Sequence, residues 1–204
     1  MGGTMKKYII CKKKDWSFVE TVKINEKERP FNADITAEAQ VCYDEEKLYV
    51  RLSAKEKDIR AELSGDYDMV CRDSCLEFFF SPDPSSERYI NIEMNPNCAC
   101  FLGLGKGPYD CVRLSPLNKK RYGLEAVSEY NEGGWMVMYS VPYTLIRLFF
   151  PDFSPYSGLK IRGNFYKCGD YCRVPHYLSW NPVVEVDGKL SFHCPPCFGV
   201  LEFE

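Results

Sequence analysis

The sequence predicts an all-β fold: an antiparallel β-sandwich, jelly-roll-like, with one short helix near residues 143–149. Three observations predict it. Apolar and polar residues alternate with a period of two along most of the chain. Clusters of turn-forming residues interrupt that alternation at regular intervals. Only YTLIRLF at 143–149, entered through Pro142, carries a helical signature, and proline suits a first helical turn. The 204 residues suit one large domain spanning 1–204, which hides roughly 70% of the surface of its unfolded chain. No internal repeat, linker or low-complexity segment divides it.

The strands follow in order. Residues 39–54, AQVCYDEEKLYVRLSA, read as strand, turn and strand, with the turn at Asp44-Glu45-Glu46-Lys47. Leu48, Val50 and Leu52 share one face; Tyr49, Arg51 and Ser53 share the other. CLEFFF at 75–80 puts Leu76, Phe78 and Phe80 opposite Cys75, Glu77 and Phe79, and SPDPSSE ends that strand. In YINIEMN at 89–95, Ile90, Ile92 and Met94 face one way, and Tyr89, Asn91, Glu93 and Asn95 the other. Such a strand has a core side and a polar side that can meet a ligand. Further strands are expected at 98–102, 110–114, 121–130, 134–141 and 158–166, with a loop-rich tail over 176–203 that closes in a strand near 198–203. Trp135, Val137, Tyr139 and Val141 form a core stripe, whereas Lys160, Arg162, Asn164 and Tyr166 share a polar face.

Composition narrows the function classes. Hydrophobic residues make up 45% and charged residues 27%, an ordinary globular balance. Net charge is −3, and the one basic run is Lys12-Lys13-Lys14, so nucleic acid is not an expected partner. No apolar run approaches the roughly 18 residues a membrane span needs. MGGTMKKYIICKKKDW lacks the apolar stretch of a signal peptide, and Lys6 stands where myristoylation at Gly2 would want Ser or Thr. A cytoplasmic location is therefore expected, and the 11 cysteines are expected to be reduced thiols.

CRDSCLEFFF at 71–80 followed by YINIEMN at 89–95 resembles the central signature of the family 9 carbohydrate-binding modules and their DOMON-like relatives. YDEEKLYVRLSA at 43–54 fits the same family. GNFYKCGD at 163–170, HYLSW at 176–180 and SFHCPPCFGVLEF at 191–203 resemble its stand-alone bacterial members. The resemblance spans about residues 20–204. It implies non-catalytic binding of a mono- or oligosaccharide, derived from xylan or cellulose, by a module of a kind often joined to xylan-degrading enzymes. Family members that bind chain ends hold the ring between two tryptophans. A pyranose offers C–H faces to aromatic rings, and its hydroxyls need fixed donors and acceptors.

Carried over residue by residue, the resemblance makes Glu77 the signature acid and Trp180 the C-terminal tryptophan. The second tryptophan has no counterpart at Met69-Val70-Cys71-Arg72, and Asn91 and Glu93 stand where the family can place an arginine. The expected ligand-binding set is Trp180, Glu77, Arg72, Asn91, Glu93, Asn164, Tyr166, Lys167 and His176, with Trp180 stacking and the others forming hydrogen bonds. Trp16 and Trp135 are read as structural.

Two other readings stay open. Glu77 and Glu93, on adjacent strands, could serve as the paired carboxyls of a glycoside hydrolase, although no GxSxG, P-loop or HExxH motif accompanies them. Cys168, Cys172, Cys194 and Cys197, with His176 and His193 nearby, have spacings that could hold zinc in a protein-interaction module. No cofactor is expected, except that the family sometimes carries structural calcium, for which Asp73 and Asp44 are the candidates.

Overall fold

A computed structural model describes residues 5–65, 67–114, 122–185 and 190–204. Gly2, residue 121 of the strand expected over 121–130, and residues 186–189 of the tail lie outside the described residues. The strands are β1 (Lys7–Lys12), β2 (Val22–Ile24), β3 (Glu26–Lys27), β4 (Thr36–Tyr43), β5 (Lys47–Lys55), β6 (Cys75–Ser81), β7 (Tyr89–Met94), β8 (Cys100–Gly107), β9 (Asp110–Arg113), β10 (Ala126–Asn131), β11 (Gly134–Pro142), β12 (Lys160–Cys168), β13 (Tyr177–Ser179) and β14 (Gly199–Phe203). They form two sheets packed face to face. One runs β10-β11-β5-β4, with β2 beside β4. The other runs β14-β12-β6-β7-β8-β9, with β13 and β3 extending from β12.

Strand β1 joins the two sheets. Its first half, Lys7 to Ile10, pairs with β14, and its second half, Cys11 and Lys12, pairs with β4. Both pairings are parallel, whereas the other strand pairs are antiparallel. The expected sandwich is present, and its sheets are mixed only through β1.

Period-two alternation becomes burial directly. Along β5 every second residue is buried, so Leu48, Val50 and Leu52 meet the core and Tyr49, Arg51 and Ser53 lie on the outer side. Trp135, Val137, Tyr139 and Val141 supply the matching stripe on β11. The second sheet contributes Phe78, Phe80, Ile90, Ile92, Phe165 and Leu201. Phe78 stacks on Phe80 at 4.7 Å and on Phe165 at 4.8 Å, offset arrangements that aromatic quadrupoles favour. Helix α1 (Tyr143–Arg147) starts at Pro142 as expected. The regular helix ends at Arg147, short of 149, and the N–H groups of Leu148, Phe149 and Phe150 continue as turns bonded back to Leu145 and Ile146.

The outer face of the second sheet is not simply solvated. Strands β6 and β7 are buried on both sides. The C-terminal segment folds over them, and Val183, Cys194, Cys197 and Phe198 pack on Phe79, Tyr89 and Tyr166. Cys194 and Cys197 form a disulfide inside this cover, which corrects the expectation of reduced thiols for that pair. Among the described residues no helix is long and apolar enough to cross a membrane.

Candidate functional site

Where the covering segment stops, the outer face of β6, β7, β8 and β9 opens into a cavity of about 580 Å³. Its floor is set by strand register. Glu77 of β6 lies directly opposite Glu93 of β7, so both carboxyls project the same way from neighbouring strands. On the other side of β6, Tyr166 of β12 faces Glu77, and Cys168 faces Cys75. The Cys168 thiol donates to Glu77 Oε1 at 2.9 Å, and Asn91 Nδ2 donates to Glu93 Oε1 at 2.9 Å.

Burial dominates the electrostatics of this pair. Glu77 is 2% and Glu93 6% exposed. Loss of water, with Glu93 alongside, pushes the Glu77 carboxyl well above the usual carboxylate range. Loss of water likewise pushes Glu93 up to about 7, although the Asn91 amide favours its ionised form. Both shifts favour the protonated acids, which can donate as well as accept.

The walls are aromatic and charged. Phe101 of β8 lines the cavity, and the space over Gly103 is what lets its ring lie there: a Cβ at Gly103 would sit 2.7 Å from Phe101 Cε1 and 2.6 Å from Cys111 Sγ. The Arg113 guanidinium lies 4.6 Å over the Phe101 ring, anchored by bonds to the carbonyls of Tyr67 and Asp68. The opposite wall holds Tyr177, Phe192 and His193, with Glu28, Arg29 and Asp170 at the rim. Phe192 stacks on Tyr166 at 4.2 Å, and the Tyr166 hydroxyl donates to the Phe192 carbonyl at 3.0 Å. His193 Nδ1 lies 2.5 Å from the Tyr89 hydroxyl, and burial lowers its pKa to about 4.

Of the residues expected to bind ligand, Glu77 and Glu93 line this cavity, while Asn91 and Tyr166 stand directly behind its lining. The others lie elsewhere. Trp180 is 3% exposed, its ring 5.7 Å from Phe165 in the main core. Gly199 makes room for it, since a Cβ there would lie 2.5 Å from Trp180 Cζ3. With both faces packed, the indole is not a stacking platform. Asn164 pins the backbone of Asn181, donating to its carbonyl at 2.9 Å and accepting from its N–H at 2.8 Å. Arg72 is exposed, with its guanidinium 5.0 Å over Tyr171, away from the cavity.

Lys167 and His176 point to the opposite side of β12. Lys167 is 0% exposed and donates to His176 Nε2 at 2.6 Å and to the Cys168 carbonyl at 2.9 Å, and it pairs with Glu56 at 3.2 Å. Trp135 Nε1 donates to the same Glu56 at 2.7 Å. His176 donates from Nδ1 to the Val174 carbonyl at 2.8 Å, so its Nε2 is the acceptor for the ammonium. Burial, reinforced by Lys167, lowers the His176 pKa to about 4 and keeps the ring neutral. Glu56 follows β5 and Lys167 lies on β12, so this buried pair ties the two sheets together.

The four cysteines considered for zinc do not converge. Cys194 and Cys197 are bonded to each other, Cys168 faces Glu77, and Cys172 lies 3.6 Å from the Ser74 hydroxyl beside Glu56 and His176. The calcium candidates do not fit either. Asp73 Oδ2 accepts from the N–H groups of Glu62 and Leu63 and from Asn95, while Oδ1 faces Arg60 at 3.2 Å. Asp44 accepts from the N–H groups of Glu46 and Lys47 and from the Tyr49 hydroxyl. Both carboxylates are committed to fixing loops.

Sequence reasoning missed Phe101, Arg113, Tyr177 and Phe192. A signal existed for Phe101 on β8, directly opposite Glu93, and for Arg113 on β9, whose partner Gly103 faces Asn91. Phe192 lies in irregular backbone, where no periodicity assigns a face.

No curated protein matches the chain at a significant level. Among solved structures, a protein of Bacteroides uniformis ATCC 8492 described as a candidate carbohydrate-binding protein is 24% identical, with a TM-score of 0.83 over 98% of this chain and 100% of that one. A family 9 carbohydrate-binding module of Caldicellulosiruptor kristjanssonii in complex with cellotriose is 11% identical, with a TM-score of 0.70 over 98% of this chain and 94% of that one. A second structure, a family 9 module from the same organism in complex with glucose, gives 12% and 0.65 over 98% and 96%. These likenesses show the sandwich fold. The model of carbohydrate-binding family 9 matches residues 5–203, and the chain belongs to that family.

Proposed function

We propose that the cavity above Glu77 and Glu93 binds the terminal one or two pyranose units of a glucan- or xylan-type saccharide without cleaving them. The observation that carries this reading is a buried carboxyl pair set between aromatic walls. Sugar hydroxyls need donors and acceptors fixed in place, and Glu77 and Glu93 are held by Cys168 and Asn91. Ring C–H faces need flat apolar surfaces, and Phe101 and Phe192 both line the cavity. A volume of about 580 Å³ falls within the usual range for small-ligand sites, roughly 300–1,000 Å³. The solved family 9 complexes with glucose and cellotriose are consistent in ligand class.

Binding without turnover is the reading favoured by membership of a carbohydrate-binding family; Glu77 and Glu93, facing each other across adjacent strands, are the pair to which any hydrolysis would trace. The chain acts as one unit, because the cavity draws residues from 28 to 193.

Calorimetric titration with glucose, cellobiose, cellotriose and xylotriose tests the reading. Saturable binding is expected, weakened roughly tenfold or more by Phe192→Ala and by Glu77→Gln. Unchanged affinity in both variants would place the site elsewhere. Newly formed reducing ends would replace binding with hydrolysis.

A further inference from the structure

Beneath the cavity lies a cluster that shares Glu77 and its partner Cys168 with the proposed sugar site and adds a second thiol, Cys75. Cys75 and Cys168 face each other across β6 and β12, and Glu77 is two residues along β6 on the same face. One ligand atom from each, two sulfurs and a carboxylate oxygen, lie within 4.8 Å of one another. We propose that Cys75, Cys168 and Glu77 form a site for a thiophilic divalent cation such as zinc, with its fourth position open to the cavity.

Donor chemistry and access both support this. Two thiolates and a carboxylate form a ligand set suited to zinc or cadmium, and three protein ligands with one open position is the arrangement that leaves room for water or an exogenous oxygen. A tetrahedral site needs ligand separations of about 3.5–4 Å, within reach of small rotamer adjustments. Cys168 and Glu77 line the cavity, so the ion has a route in. Glu93 and Asp170 add negative charge around it, and among the described residues Glu77 and Glu93 form no ion pair.

Contrast singles this cluster out. Glu56, Cys172 and His176 also converge within 4.8 Å, but the Lys167 ammonium lies 2.6 Å from His176 and 3.2 Å from Glu56. That triad already has a cation in direct contact, whereas among the described residues no ion pair reaches the cavity-floor triad.

Both thiols ionise on binding, and their protons pass to the buffer. The test is calorimetry of the full chain with zinc under a phosphine reductant and without sugar, repeated in buffers of different ionisation enthalpy. The expected result is one zinc per chain with release of about two to three protons, two from the thiols and up to one from the Glu77 carboxyl. Cobalt in place of zinc should give the intense visible bands of a tetrahedral thiolate complex.

Cys168→Ser and Glu77→Gln should each weaken zinc by more than the roughly 10–100-fold typical of losing a supporting partner. Cys11→Ser, on the other side of the molecule, should leave it unchanged. No zinc binding by the native chain would overturn the proposal. So would stoichiometry and cobalt bands that survive in both site variants. Should Cys168→Ser not fold, Glu77→Gln and the cobalt spectrum decide. Because no sugar is present, the result is independent of whether the cavity binds saccharide.

Discussion

Trp180 and Phe192 exchange the roles their residue types suggest. Tryptophan is the usual sugar platform, yet Trp180 fills the core over Gly199, while Phe192 lines the cavity. Trp180→Ala is therefore expected to cost about 3–5 kcal/mol of stability, read in denaturant melts, and to leave the sugar affinity of the folded protein unchanged. Lost affinity at unchanged stability would contradict this placement. No tryptophan lines the cavity among the described residues, so saccharide binding seen by calorimetry should barely move tryptophan emission. Parity along β12 made part of this legible. Asn164, Tyr166 and Cys168 share the outer face, which turns Lys167 inward despite its charge. What hid it is that Glu56 and His176, the partners that make a buried lysine tolerable, come from other parts of the chain.

Among the elements, the long alternating strands were legible because each carries its own face: β4, β5, β6, β7, β11 and β12 all stand close to where period two places them. The missed elements are β1, β2, β3 and β13. Three of them are only two or three residues long, and β1 pairs in parallel with strands distant in sequence, so nothing local announces them. The covering segment was equally unreadable, since its structure comes from packing on Phe79, Tyr89 and Tyr166 and from one short disulfide. That disulfide closes a very small loop, so replacing Cys194 and Cys197 with serine should lower stability by only about 2 kcal/mol. The larger effect should fall on binding, because Phe192 and His193 lead directly into the bridge. Sugar affinity measured with and without reductant should fall on reduction while the melting temperature shifts by a few degrees. An affinity indifferent to reduction would show that the wall is held by Tyr166 alone.

At the scale of the whole molecule, the buried ionisable groups divide into two sets that oppose each other with pH. His176 and His193 are lowered to about 4 by burial, from an unfolded value near 6.5. Between those values the unfolded chain takes up protons that the folded chain refuses. Their contribution is present above about 6.5 and is lost as pH falls towards 4, up to about 3 kcal/mol each before solvent access reduces it. Glu77 and Glu93 work the other way. Glu93 is raised to about 7 and Glu77 is raised well above the ordinary value, so the folded chain holds protons that the unfolded chain releases. Their contribution is present below about 4.5 and is lost as pH rises through about 7. The two slopes cancel in part between pH 4.5 and 6.5, so the native protein should show a shallow stability profile there. Glu93→Gln removes one acid-stabilised group and should make stability fall more steeply on acidification. His193→Asn removes one imidazole and should flatten or reverse the fall. Urea midpoints at half-unit steps from pH 4.5 to 7.5 for the three proteins test this. If both variants shift the slope in the same direction, the opposition between the buried histidines and the cavity-floor carboxyls is wrong.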